Sequence, residues 1–135
     1  MIPIVSARVY CECGDLLSSI LIADDSRVVR GVLKTCLERP QLDLVEAVDG
    51  EDAVRKASEH RPDLIILDFS MPRMNGLDAA RVLHPQLPGV PIILFTLYAE
   101  TVPRATLVAA GINAIVSKAN ITALLNQVES MLPRA

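Results

Sequence analysis

The chain has 135 residues, 51% of them apolar, and a formal net charge of −3. That is enough for one compact core and too little for two. A slightly acidic balance with scattered basic residues leaves no electrostatic footprint for nucleic acid or an anionic membrane, and no apolar run approaches the roughly 20 residues of a spanning helix.

In chain order, Val5, Ala7 and Val9 alternate with Ser6, Arg8 and Tyr10, the pattern of a short extra strand within an N-terminal extension over residues 1–17. Arg8, Glu12 and Asp15 interrupt any signal-peptide core, so a cytoplasmic chain is expected. Cys11 and Cys13 form a lone C-x-C. No second Cys or His pair follows at zinc-ligand spacing, and His60 and His84 stand alone, as surface residues near helix ends. Three cysteines, an odd number, suit a reducing compartment better than a disulfide scaffold.

The main domain is expected over residues 18–135. Ser19 to Ala23 reads as a strand that stops abruptly at Asp24 and Asp25. Two adjacent carboxylates repel by roughly 4 kcal/mol if they lie about 4 Å apart at an effective dielectric near 20. Capping the following helix, by Asp25 or Ser26, needs only one such side chain. In that helix Val29, Val32, Leu33, Cys36 and Leu37 fall on one apolar face of a 3.6-residue period, with Arg30, Lys34 and Glu38 elsewhere.

Further strands are expected at Asp43 to Ala47, Asp63 to Asp68, Pro91 to Thr96 and Asn113 to Ser117. Helices are expected at Glu51 to His60, Leu77 to Leu83, Thr101 to Ala110 and Ile121 to Leu132, punctuated by Pro40, Pro62, Pro91 and Gly111. The alternation gives five βα units. Runs such as "LIIL" at Leu64 to Leu67 are apolar throughout, as in a parallel sheet covered on both faces. The fold class is therefore doubly wound α/β, whose ligands sit outside the carboxyl ends of the strands where strand order reverses.

Those ends carry Asp24 and Asp25 after the first strand, Asp68 after the third, Thr96 after the fourth and Lys118 after the fifth. Taken singly, each has a dull explanation as a solvated strand end. Together, three converging carboxylates raise at least one pKa unless cations hold them ionised. Oxygen donors without histidine or thiolate favour magnesium or manganese over zinc. A dication and Lys118 would match the three negative charges and leave room for a phosphoryl group, whose oxygens such cations bind and which an ionised carboxylate can attack.

From Ser18 to Leu132 the sequence resembles the receiver domain of bacterial two-component response regulators, similar to the single-domain chemotaxis type. The resemblance rests on "DD" at Asp24 and Asp25, "LDFSMPRMNG" from Leu67 to Gly76, "FT" at Phe95 and Thr96, and the lysine of "IVSKAN". It implies a flavodoxin-like five-stranded parallel sheet in strand order 2-1-3-4-5 with helices on both faces. It also implies that Asp68 accepts a phosphoryl group from a histidine kinase or phosphotransfer protein and that the domain then switches conformation. It further implies that Asp25 binds magnesium directly and Asp24 through water, with the Ser70 carbonyl completing the protein's share of the shell. Thr96 would turn its hydroxyl to the phosphoryl group and Lys118 would pair with it. A second copy of the chain is a further candidate partner; nucleic acid and membrane are not.

Two positions depart from the family pattern. Ile115 stands where an aromatic ring is common, so Thr96, Tyr98 and Ile115 are the candidate switch residues, with Tyr98 expected to carry much of the signal. Ala119 replaces the usual proline after the lysine, and a cis bond there would cost ~2.5 to 4 kcal/mol. Two other function classes compete: a phosphorylation-independent interaction domain on the same fold, against which the complete acidic set argues, and a haloacid-dehalogenase-like phosphatase. The phosphatase needs D-x-D, but Phe69 and Ser70 follow Asp68. Nucleotide binding lacks a glycine-rich loop after the first strand.

Overall fold

The computed structural model describes residues 18–132; the expected strand over Val5 to Tyr10 and the C-x-C lie outside them. Five parallel strands, β1 (Ser18–Ala23), β2 (Leu42–Ala47), β3 (Leu64–Leu67), β4 (Ile92–Thr96) and β5 (Ala114–Ser117), form one sheet in the order β2-β1-β3-β4-β5. Between and after them run α1 (Arg27–Leu37), α2 (Gly50–His60), α3 (Gly76–Gln86), α4 (Arg104–Ala109) and α5 (Ile121–Met131).

The period-two alternation of the strands splits the core in two. Leu21, Ile65, Leu67, Ile92 and Leu94 face α2, α3 and α4, where Ala53, Ala57, Ala80, Leu83 and Leu107 are buried. Ile20, Ile22, Leu64, Ile66, Ile93 and Phe95 face α1 and α5, meeting Leu33, Leu37, Leu124 and Val128. Because β1 lies between β2 and β3, chain direction across the sheet reverses there, and a crevice opens at the carboxyl ends of β1 and β3.

Two expectations are corrected. The fourth helix starts at Arg104, because Pro103 takes the N-cap with φ −62°, and Ala99–Thr101 forms a separate 3-10 turn. The apolar face of α1 is rotated from the one expected. Leu33 and Leu37 are buried and Val29 is half-buried, but Val32 is 47% exposed and Cys36 is exposed too. Residues 32 and 36 precede 33 and 37 by one step each, about 100° around the helix. The inward arc extends instead toward Arg30, whose side chain is only 11% exposed. His60 and His84 occupy the last turns of α2 and α3, as expected.

Candidate metal and phosphoryl site

Asp24 and Asp68 are each held by a hydrogen bond that carries the sheet ladder past the strand end. The Asp24 N–H donates to the Ala47 carbonyl at 3.1 Å, and the Asp68 N–H to the Ala23 carbonyl at 2.9 Å. On the far side, the Lys118 N–H donates to the Thr96 carbonyl at 3.0 Å. Helix α1 is capped by Ser26, whose Oγ accepts from the Val29 N–H at 3.3 Å. Neither aspartate is spent on that cap. Asp24 Oδ1 accepts the Ser26 N–H at 2.8 Å, which tightens the turn, and Asp25 is exposed at the crevice.

Asp24, Asp25 and Asp68 each offer an oxygen, and these atoms lie within 4.8 Å of one another. Lys118 joins two of them: its Nζ is 2.7 Å from Asp24 Oδ2 and 3.2 Å from Asp68 Oδ1. Asp24 and Asp68 are buried, and Lys118 is nearly so. Burial pushes the Asp68 carboxyl above its ordinary range, and the charges of Asp24 and Asp25 push the same way, against the pull of Lys118. Burial works against the charge on Lys118, but its two aspartate partners prevail and hold it above the usual lysine value. The donors fit a hard divalent cation: three carboxylates, all oxygen, with excess negative charge that one lysine leaves unmatched.

The stretch after Asp68 is fastened at both ends. The Gly76 N–H donates to the Phe69 carbonyl at 2.9 Å, and a Cβ on Gly76 would collide with the Asp68 carbonyl. Arg73 takes φ +68°, and the Met74 N–H closes a tight turn across it to the Pro72 carbonyl at 2.8 Å. Arg73 Nη1 lies 2.8 Å from Oδ2 of buried Asp49, so an ion pair anchors a conformation that non-glycine residues rarely adopt. Ser70 is exposed within this loop.

Thr96 is almost fully buried at the end of β4, and its Oγ1 accepts the Tyr98 N–H at 3.2 Å. Tyr98 is 56% exposed, and Ile115 packs at the edge of the core one strand over, paired in register with Leu94. After Lys118 the chain closes with the Ala119 N–H donating to Ser117 Oγ at 3.1 Å and the Asn120 N–H to the Ser117 carbonyl at 2.9 Å.

Sequence reasoning missed two arginines here, Arg30 and Arg73. Arg30 sits beside Val29 and three before Leu33, on the flank of the apolar stripe, a placement that marks a charge turned partly inward. Arg73 had no such signal, since a positive φ at a non-glycine residue leaves no trace in composition.

The raised pKa of Asp68 has a stability consequence. Its ionised form costs the folded state free energy at neutral pH, a cost that disappears as pH falls through the folded pKa to below the ordinary value of 3.8. Asp68→Asn removes that charge and keeps an acceptor for Lys118. Metal-free Asp68→Asn is expected to unfold at a higher temperature than wild type at pH ~7, with the gap closing in acid. A lower unfolding temperature for the variant at neutral pH would show that the Lys118 pair outweighs the burial and repulsion.

The fold and pocket define a doubly wound α/β domain with a carboxylate and lysine cluster at its switch point. The sequence model of the response regulator receiver domain family matches residues 20–129, and the chain belongs to that family. It is 41% identical over 98 residues to a protein-glutamate methylesterase/protein-glutamine glutaminase of Pyrococcus abyssi, covering 71% of this chain and 26% of that protein. With the alkaline phosphatase synthesis transcriptional regulatory protein PhoP of Bacillus subtilis it shares 30% identity over 122 residues, 84% of this chain and 51% of the regulator. The chain thus spans between about a quarter and a half of the length of these two relatives. Among solved structures it is similar to the response regulator TrrA of Thermotoga maritima in complex with Mg(2+)-BeF, at TM-score 0.78 and 30% identity over 86% of this chain and 100% of that one. It is also similar to the chemotaxis protein CheY4 of Vibrio cholerae, at TM-score 0.77 and 29% identity over 86% and 99%. No helix among the described residues is long and apolar enough to cross a membrane.

Proposed function

We propose that this chain is the phosphoacceptor module of a two-component relay in the cytoplasm, taking a phosphoryl group on Asp68 in a magnesium-dependent reaction. The observation that carries the reading is the convergence of Asp24, Asp25 and Asp68 with Lys118 at the switch point. A magnesium ion held by Asp25, Asp68 and the Ser70 carbonyl, with Asp24 reached through water, would supply charge neutralisation for the phosphoryl oxygens.

An ionised Asp68 oxygen forms the new bond to phosphorus while the bond to the donor's leaving group breaks. That group is a histidine nitrogen of a kinase or phosphotransfer protein, and it departs with the bonding electrons. The backbone hydrogen bond from Asp68 to Ala23 fixes where that nucleophile starts. Once the phosphoryl group is in place, Lys118 exchanges its Asp24 partner for a phosphoryl oxygen. The product is a modified domain, so the chain acts as a self-phosphorylating and self-dephosphorylating acceptor and not as a turnover enzyme.

The signal then leaves through Thr96. Its hydroxyl is engaged by the Tyr98 N–H, so turning it toward the phosphoryl group releases the loop that carries Tyr98. Ile115 offers no ring or hydroxyl to move, and its change is small. Phosphorylation biases this loop only through contacts that differ between its two states. Amide chemical shifts recorded with beryllofluoride and magnesium are expected to move most over residues 96–106, to be blunted by Tyr98→Ala, and to stay still when magnesium is withheld. Loss of the response in Ile115→Ala with Tyr98→Ala unaffected would place the readout on β5; a response without any divalent ion would remove the metal from the account.

A further inference from the structure

The peptide plane between Asp24 and Asp25 decides where both carboxylates emerge, and one largely buried side chain holds it. Arg30 Nη1 donates to the Asp24 carbonyl at 2.7 Å, and its Nε donates to Glu46 Oε1 on β2 at 3.0 Å. Lys34 Nζ approaches the other Glu46 oxygen at 3.1 Å, and Lys56 Nζ donates to the Glu46 carbonyl at 2.6 Å. Glu46 is therefore fastened from α1 and α2 at once. Its carboxyl is held below the usual glutamate range, chiefly by the Lys34 hydrogen bond, with burial opposing and Arg30 adding to the pull.

We infer that Arg30, locked in place by Glu46, is a positioning residue for the acidic turn, fixing the Asp24–Asp25 peptide so that Asp25 and Asp24 stand ready for a divalent cation. The metal part of this inference rests on the function proposed above. The Asp24 N–H is fixed by β2 and its carboxylate by Ser26 and Lys118, while its carbonyl accepts from Arg30. The guanidinium is suited to the task because it presents donors in a rigid fork that reaches two acceptors in fixed directions. A lysine is a single point charge on a flexible stem and cannot reproduce both bonds.

The test compares wild type with Arg30→Lys, Arg30→Met, Glu46→Gln and, as a surface control on α3 away from Glu46, Arg81→Ala. Two quantities are read: magnesium affinity by calorimetry, and the metal-free amide shift of Asp25. Outer partners of metal ligands commonly change affinity about 10- to 100-fold. Arg30→Lys and Arg30→Met should each weaken magnesium binding about tenfold or more and displace the Asp25 amide signal. Glu46→Gln should lose a smaller part of the affinity, and Arg81→Ala should leave the Asp25 signal in place.

Full rescue by lysine would reduce Arg30 to a charge and overturn the positioning role, as would lower thermal stability with unchanged magnesium affinity and an unmoved Asp25 amide. If wild type itself bound no magnesium, the proposed function would fail, and the amide shift would still decide whether Arg30 sets the turn. Should Arg30→Met not fold, Arg30→Lys and Glu46→Gln supply the same comparison.

Discussion

Lys118→Ala is expected to lower the stability of the metal-free protein by about 1 to 3 kcal/mol, the usual cost of leaving a buried polar group unpaired. The lysine sits 2.7 Å from one buried carboxylate and 3.2 Å from a second, and no other cation lies within salt-bridge distance of either among the described residues. Its own pKa is raised, so its stabilising contribution is full below the unfolded lysine value and fades as pH rises through the higher folded one. Without it, the Asp68 carboxyl should move further above its ordinary range, because the charge that opposed Asp24 and Asp25 is gone. Lys118→Met, which keeps the apolar stem, separates lost charge from lost packing. A dication at free concentration c that binds the folded site and not the unfolded chain stabilises by RT ln(1 + c/Kd), so magnesium well above its Kd should recover most of the loss in both variants. Thermal unfolding with and without magnesium checks this. An identical magnesium gain in wild type and variants would mean that ion and lysine do not share the same carboxylates.

Asp25→Asn should act on metal binding while leaving the fold alone. Asp25 is exposed, the cap of α1 belongs to Ser26, and removing one of three crowded charges relieves repulsion on Asp68. Metal-free unfolding should therefore stay level or rise slightly. Magnesium affinity should fall by more than tenfold, since even outer partners of a ligand commonly cost that much, and phosphorylation should fall with it. Calorimetric titration reads the first and intact-protein mass the second. Wild-type affinity in Asp25→Asn would remove this residue from the ligand set.

The strands were legible because parallel strands buried on both faces are written as unbroken apolar runs, and "LIIL" and "IILF" need no partner information to be seen. The strand order then placed Asp24, Asp25 and Asp68 at one crevice, where the structure brings their oxygens together. The face of α1 was less legible. Periodicity treats Arg30 as outward because it is charged, but Glu46 on the neighbouring strand and the Asp24 carbonyl just ahead of the helix accept from it and make its burial favourable, turning Val32 and Cys36 outward. Tertiary hydrogen bonding overrode the pattern. The start of α4 was misplaced for a local reason, the fixed φ of Pro103. The Asp49 to Arg73 pair was invisible because it joins two loops that only the packed sheet brings together.

The central claim is that Asp68 itself carries the phosphoryl group, and chemical mapping tests it most directly. After acetyl phosphate and magnesium, borohydride reduces an aspartyl phosphate to homoserine, leaving a stable mark on the residue that was modified. Peptide mass mapping should then find homoserine in place of Asp68, dependent on magnesium and absent without acetyl phosphate. Homoserine at Asp24 or Asp25 instead, or no conversion at all under conditions where magnesium binds, would contradict the account.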